Sequence, residues 1–194
     1  MSADWKDLRS LAEVTAIEVA HRYGVPCLGR AAAELLRRWR HGVRDPETLI
    51  RLVFLTWYQR CQGLEPTGLD AELPTPESLI DEAGGEGALD PEARFLVGYM
   101  ARLFPYAFGT EARWKARAEP LLADAAATMP TSVLFANWRI YHDKDAPTHG
   151  RRLRLNAEVH ARFSGRGAMG DYFVHVLTIT SDAAFRRGDA PEVT

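Results

Sequence analysis

Lysine is nearly missing from this chain, occurring only at Lys6, Lys115 and Lys144 among 24 basic residues. With alanine abundant, arginine in place of lysine suggests a GC-rich bacterial genome and carries little information about activity. Cysteine is as scarce. Cys27 and Cys61 are too few for a disulfide framework, and with no second pair nearby they exclude a Cys-rich zinc site, so both read as buried thiols. No apolar run approaches the roughly 20 residues that a membrane span requires. The opening MSADWKDLRSLAEV joins no basic end to a continuous apolar stretch, so no membrane association and a cytoplasmic location are expected. There is no GxSxG elbow, no HExxH helix and no twelve-residue calcium loop. Serine hydrolases, zincins and EF-hands are thereby excluded, and His21 with Cys27 carries no recognisable nucleophile signature.

What is present belongs to an ordinary folded protein: 46% hydrophobic and 26% charged residues in a chain of 194. That length supports one core, and residues 1–194 read as a single domain. The net charge of −2 conceals an uneven distribution. Residues 1–60 carry ten Lys/Arg against seven Asp/Glu, and residues 94–194 carry fourteen against ten. Between them, residues 61–93 hold nine Asp/Glu and no Lys or Arg at all. The Pro/Gly-rich stretch 63–91 reads as an acidic linker or long loop within the domain, with one short helix from Pro76 to Ala83.

Helical periodicity is clear along most of the chain. Apolar residues from Leu8 to Tyr23 recur at three- and four-residue intervals until Gly24-Val25-Pro26. A helix from Arg30 to His41 turns Leu35, Leu36 and Trp39 inward, with Arg37, Arg38 and Arg40 outward. Asp45-Pro46-Glu47 and Asp90-Pro91-Glu92 pair an N-cap aspartate with a first-position proline. The first opens LIRLVFLTWYQRC, which is apolar nearly all round and therefore central. Phe95, Leu96, Tyr99, Met100 and Leu103 stripe the second, and Thr110 caps a further helix running to about Thr128. Residues 133–142 fit a strand or a short helix.

In the last third, Leu153, Leu155, Ala157, Val159, Ala161 and Phe163 alternate with polar residues, the period of a half-buried strand. Pairing Phe163 with Asp171 returns an antiparallel strand 171–180 that places Phe173, His175, Leu177 and Ile179 on the same apolar face. The expected fold is α+β and predominantly helical: five or six helices around the central apolar helix, with a C-terminal antiparallel β-hairpin. An all-α fold is the alternative.

Three clusters invite a functional reading. Gly165-Arg166-Gly167-Ala168-Met169-Gly170 has the spacing of a dinucleotide-binding fingerprint, but no helix and second parallel strand are expected after it. GRGAMGDYFV, residues 165–174, is similar to the phosphate-covering loop of protein kinases. The resemblance stops there, because no lysine follows Lys144 and no catalytic loop is present. What remains is a loop whose free N–H groups at Gly165, Gly167 and Gly170, with Arg166, could cradle a phosphate or other anion. A hairpin tip that needs positive φ explains the same glycines. His142, Asp143, Asp145 and His149 gather two imidazoles and two carboxylates within eight residues and are the metal-ligand candidates, although a polar turn accounts for them too. Arg151, Arg152, Arg154, Arg162 and Arg166 could form a basic strip. A pI near 6.3 and the absence of any matching module speak against nucleic acid as its partner.

The acidic stretch supplies the third cluster, Glu77, Asp81, Glu82, Glu86 and Asp90, which could dock on a basic partner surface. No catalytic residue is assigned and no cofactor is expected, so the balance is against an enzyme. The expected function is a non-catalytic cytoplasmic interaction module of bacterial type, an inhibitor, immunity or adaptor protein. The alternative is a small-ligand protein or enzyme that uses the glycine loop as an anion site with nearby His142 or Asp143.

Overall fold

The computed structural model describes residues 11–61, 73–138 and 149–178, and no strand occurs among them. Helix α1 (Ala12–Val19) runs into a single 3-10 turn, followed by α2 (Leu28–Arg40), α3 (Pro46–Cys61) and α4 (Pro76–Glu82). A second 3-10 turn at Glu86–Ala88 leads to α5 (Pro91–Leu103), and a third at Pro105–Ala107 to α6 (Glu111–Thr128). The short α7 (Val133–Ala136), then α8 (His149–Phe163) and α9 (Gly167–Leu177), complete the described fold.

The α+β expectation is corrected: the architecture is all-α, and the segment assigned to a β-hairpin is the helix pair α8–α9. The alternating pattern contained a four-residue stripe. Leu155, Val159 and Phe163 are buried, whereas Leu153, Ala157 and Ala161 are exposed. Val159 is the only β-branched residue between 152 and 163, while leucine, alanine, glutamate and arginine favour helix. The strand register fails with the hairpin, so His175 lies exposed on α9 instead of on an apolar face; residues 179 and 180 fall outside the described residues.

Helix α3 is central, as its composition demands. Every residue from Glu47 to Trp57 is buried, and the helix packs against α2, α4, α5 and α9. Its aromatic end is met by α9: Phe54 lies 5.5 Å from Tyr172 and 6.1 Å from Phe173, ring centre to ring centre. Helices α5 and α6 form the most extensive pair. Gly98 makes this possible, since a Cβ there would come within 2.9 Å of both the Ala118 carbonyl oxygen and Leu122.

The proline-initiated starts have the expected chemistry. Thr75 accepts a hydrogen bond from the Ser78 N–H at 3.0 Å, and Asp90 accepts one from the Ala93 N–H at 2.7 Å. Thr110 differs. Its side chain makes no cap bond, and its own N–H donates instead to Glu77 at 2.7 Å, which ties the start of α6 to α4.

Candidate functional site

The glycine loop is a tight reversal between α8 and α9. Gly165 and Gly167 have φ of +81° and +62°, the left-handed conformation that lets one helix stop and the next begin within three residues. A Cβ on Gly170 would overlap the Phe163 carbonyl oxygen, so this glycine is where α9 passes closest to the end of α8. The N-terminus of α9 does meet an anion, and the anion belongs to the same chain. The Ala168 N–H donates to Glu18 Oε2 at 2.9 Å, and Glu18 also pairs with Arg51, both side chains being buried. A helix N-terminus favours negative charge for reasons of dipole and unsatisfied N–H groups, and a carboxylate meets that need as well as a phosphate does. Burial pushes the Glu18 carboxyl above its ordinary range, while Arg51 and the Ala168 N–H act against that rise.

Arg166 turns inward beside it. Its Nε donates to Glu47 Oε1 at 3.1 Å, its Nη2 to Glu47 Oε2, and its Nη1 to Glu92 Oε1 at 2.5 Å. Glu92 also receives Arg162 at 3.1 Å, and Arg162 donates to Glu158 at 2.8 Å. Glu158 in turn accepts from the Ser132 hydroxyl at 2.6 Å and the Leu134 N–H at 3.0 Å. The network binds α3, α5, α7, α8 and α9 together. Arg162 and Arg166 are thus drawn out of the anticipated basic strip, leaving Arg151 and Arg154 exposed.

Burial works to raise Glu158, but the Ser132 hydroxyl, the Leu134 N–H and Arg162 outweigh it and hold its pKa below the ordinary value. A lowered folded pKa means that its stabilisation is complete above the carboxylate range and is lost as pH falls through it. Thermal midpoints of the wild type and Glu158→Gln are expected to differ most at pH 7 and to converge below about pH 4. A gap unchanged from pH 7 to pH 3 would overturn that assignment.

The acidic cluster lies across α4 and the turn leading to α5. Arg113 of α6 reaches Glu77 at 2.7 Å and Asp81 at 3.2 Å, and Arg117 reaches Glu86 at 2.5 Å. Asp90 caps α5, and Glu82 accepts the Trp39 Nε1–H at 2.9 Å. Trp39, Leu49, Leu89 and Ala93, with Arg44, Glu82 and Asp90, line a cleft of about 290 Å³. The Arg44 guanidinium carbon sits 3.9 Å from the centre of the Trp39 ring, and its Nη1 is 3.6 Å from Glu82.

Of the metal-ligand candidates, His142, Asp143 and Asp145 fall outside the described residues. His149 opens α8, exposed, with Nδ1 3.0 Å from Arg152 Nη2. No group of three or more potential metal ligands occurs among the described residues, and no helix among them is long and apolar enough to cross a membrane.

Sequence reasoning passed over Glu18, Glu47, Arg51 and Arg44. A signal existed for two of them: Glu47 and Arg51, four residues apart on a helix otherwise apolar all round, must be buried and therefore partnered. Arg44 and Glu18 gave none, since one lies in a short connection and the other reads as an ordinary surface glutamate. The chain matches no protein-family model, no curated protein and no solved structure.

Proposed function

We propose that the chain is a non-catalytic protein-binding module of the inhibitor, immunity or adaptor kind, and that it docks on a basic partner surface through the acidic wall of α4 and the turn into α5. One observation supports this reading above others: the wall carries more anions than cations. Glu77, Asp81, Glu82 and Glu86 are met, among the described residues, by Arg44, Arg113 and Arg117, while Asp90 accepts the Ala93 N–H as the cap of α5. Asp81, Glu82 and Asp90 remain exposed. Exposed ion pairs contribute only about 0–1 kcal/mol each, so a partner's cations can compete for these carboxylates at little cost to the fold. An excess of one sign on a surface accelerates association with a complementary surface. The glycine loop lends no comparable support to a ligand site, because the Ala168 N–H and Arg166 are engaged by Glu18, Glu47 and Glu92.

The test is affinity capture from the native host with the wild type and with Asp81→Lys/Glu82→Lys, helicity being checked by circular dichroism. A basic protein held in stoichiometric amount by the wild type and lost by the variant is the expected result. Equal retention by both, or no stoichiometric protein with either, would overturn it.

A further inference from the structure

We infer that the cleft between α2, α3, α4 and α5 is a recognition pocket for one arginine side chain of the partner, and that Arg44 covers its Trp39 wall as an internal surrogate in the free protein. The inference rests on the protein-binding reading and specifies where that binding is anchored. The Trp39 ring forms one wall and is only 2% exposed. Its orientation is set by the 2.9 Å bond from Nε1 to Glu82. A guanidinium already lies over that wall, its carbon 3.9 Å from the ring centre, which is the cation–π contact an incoming arginine would make. The same Glu82 oxygen that holds the indole lies 3.6 Å from Arg44 Nη1, so ring face and carboxylate address one cation together.

The open volume of about 290 Å³ beside Arg44 is at the lower limit of small-molecule sites, the scale of one side chain instead of a cofactor. Leu49, Leu89 and Ala93 would cover an aliphatic stem, and Asp90 stands on the rim beside Glu82. With Arg44 displaced, the pocket presents two carboxylates and a bare indole face. A planar guanidinium satisfies both features, whereas an ammonium cannot stack. Arg44 is suited to leave, since its side chain is 47% exposed and its contact with Glu82 is long.

The experiment follows the Trp39 indole N–H by NMR, assigned by its absence in Trp39→Phe, during titration with N-acetylarginine amide and with the neutral isostere N-acetylcitrulline amide. A saturable shift with the arginine probe alone is expected, and Arg44→Ala should tighten it about tenfold by removing the competitor. Equal response to citrulline, or unchanged arginine affinity in Arg44→Ala, would overturn the pocket. A partner captured equally by the wild type and Trp39→Phe would also overturn it while the docking reading stands. Saturable arginine binding without any captured partner would support the pocket and count against the docking reading.

Discussion

Gly167→Ala is expected to destabilise the protein by about 3–5 kcal/mol, a large share of the roughly 5–15 kcal/mol that holds a domain of this size together. Two effects combine. At φ +62° a side chain other than glycine is strained, which costs roughly 1–2 kcal/mol. The larger effect is steric, because the new Cβ would occupy the space of Glu18 Oε2 and press on Arg51 Nη2. Neither group can retreat to solvent: Glu18 is 2% exposed and Arg51 0%. Parting them takes from each buried charge its opposite charge, and the Ala168 N–H loses its acceptor. Gly165 supplies the control. It has φ +81° but nothing within 4 Å of its missing Cβ, so Gly165→Ala should show the backbone cost alone, about 1–2 kcal/mol. Urea unfolding of both variants separates strain from overlap. If Gly167→Ala falls within about 1 kcal/mol of Gly165→Ala, the tightness of the Glu18–Arg51–Gly167 contact is wrong.

The contrast also explains which features the sequence disclosed. Helix starts marked by Asp-Pro were legible because the cap and the fixed proline φ are local: Pro46 and Pro91 each open a helix, as does Pro76 at the start of the short helix expected there. The central position of α3 was legible from its nearly uninterrupted apolar circumference. The α8–α9 pair was not, because Leu153 to Phe163 satisfies a two-residue and a four-residue period at once, and the burial that decides between them is tertiary. The glycines of the reversal have the same origin. Gly170 is required by the Phe163 carbonyl and Gly167 by Glu18, a residue almost 150 positions away, so sequence could register the need for glycine without its cause. Likewise the acidic stretch could be counted, but its arginine partners on α6 lie more than 30 residues downstream. The Trp39 cleft combines α2, the following connection, α3, α4 and the start of α5, and no single segment announces it.

Arg166→Met is expected to cost about 3–5 kcal/mol, although methionine fills much of the vacated space. The cost arises from what remains. Glu47, 5% exposed, loses both of its guanidinium bonds, and Glu92 loses the Arg166 bond while keeping Arg162 at 3.1 Å. Burial already pushes the Glu47 carboxyl above its ordinary range, with Arg166 opposing the rise; without that arginine the carboxyl should take up a proton well above the usual carboxylate pH. The sign follows from linkage. A raised folded pKa makes the variant relatively more stable as pH falls toward that value, so the deficit of Arg166→Met should be larger at pH 8 than at pH 5. Replacing the partner as well should recover part of the loss, with a coupling energy of about 1–3 kcal/mol in the cycle of Arg166→Met and Glu47→Gln. A surface arginine reserved for an external anion would behave differently: its removal would leave stability within about 0.5 kcal/mol of the wild type at every pH. Urea unfolding of the three variants at the two pH values decides between these outcomes, and an additive cycle would mean that Glu47 and Arg166 do not hold α3 to the α8–α9 turn.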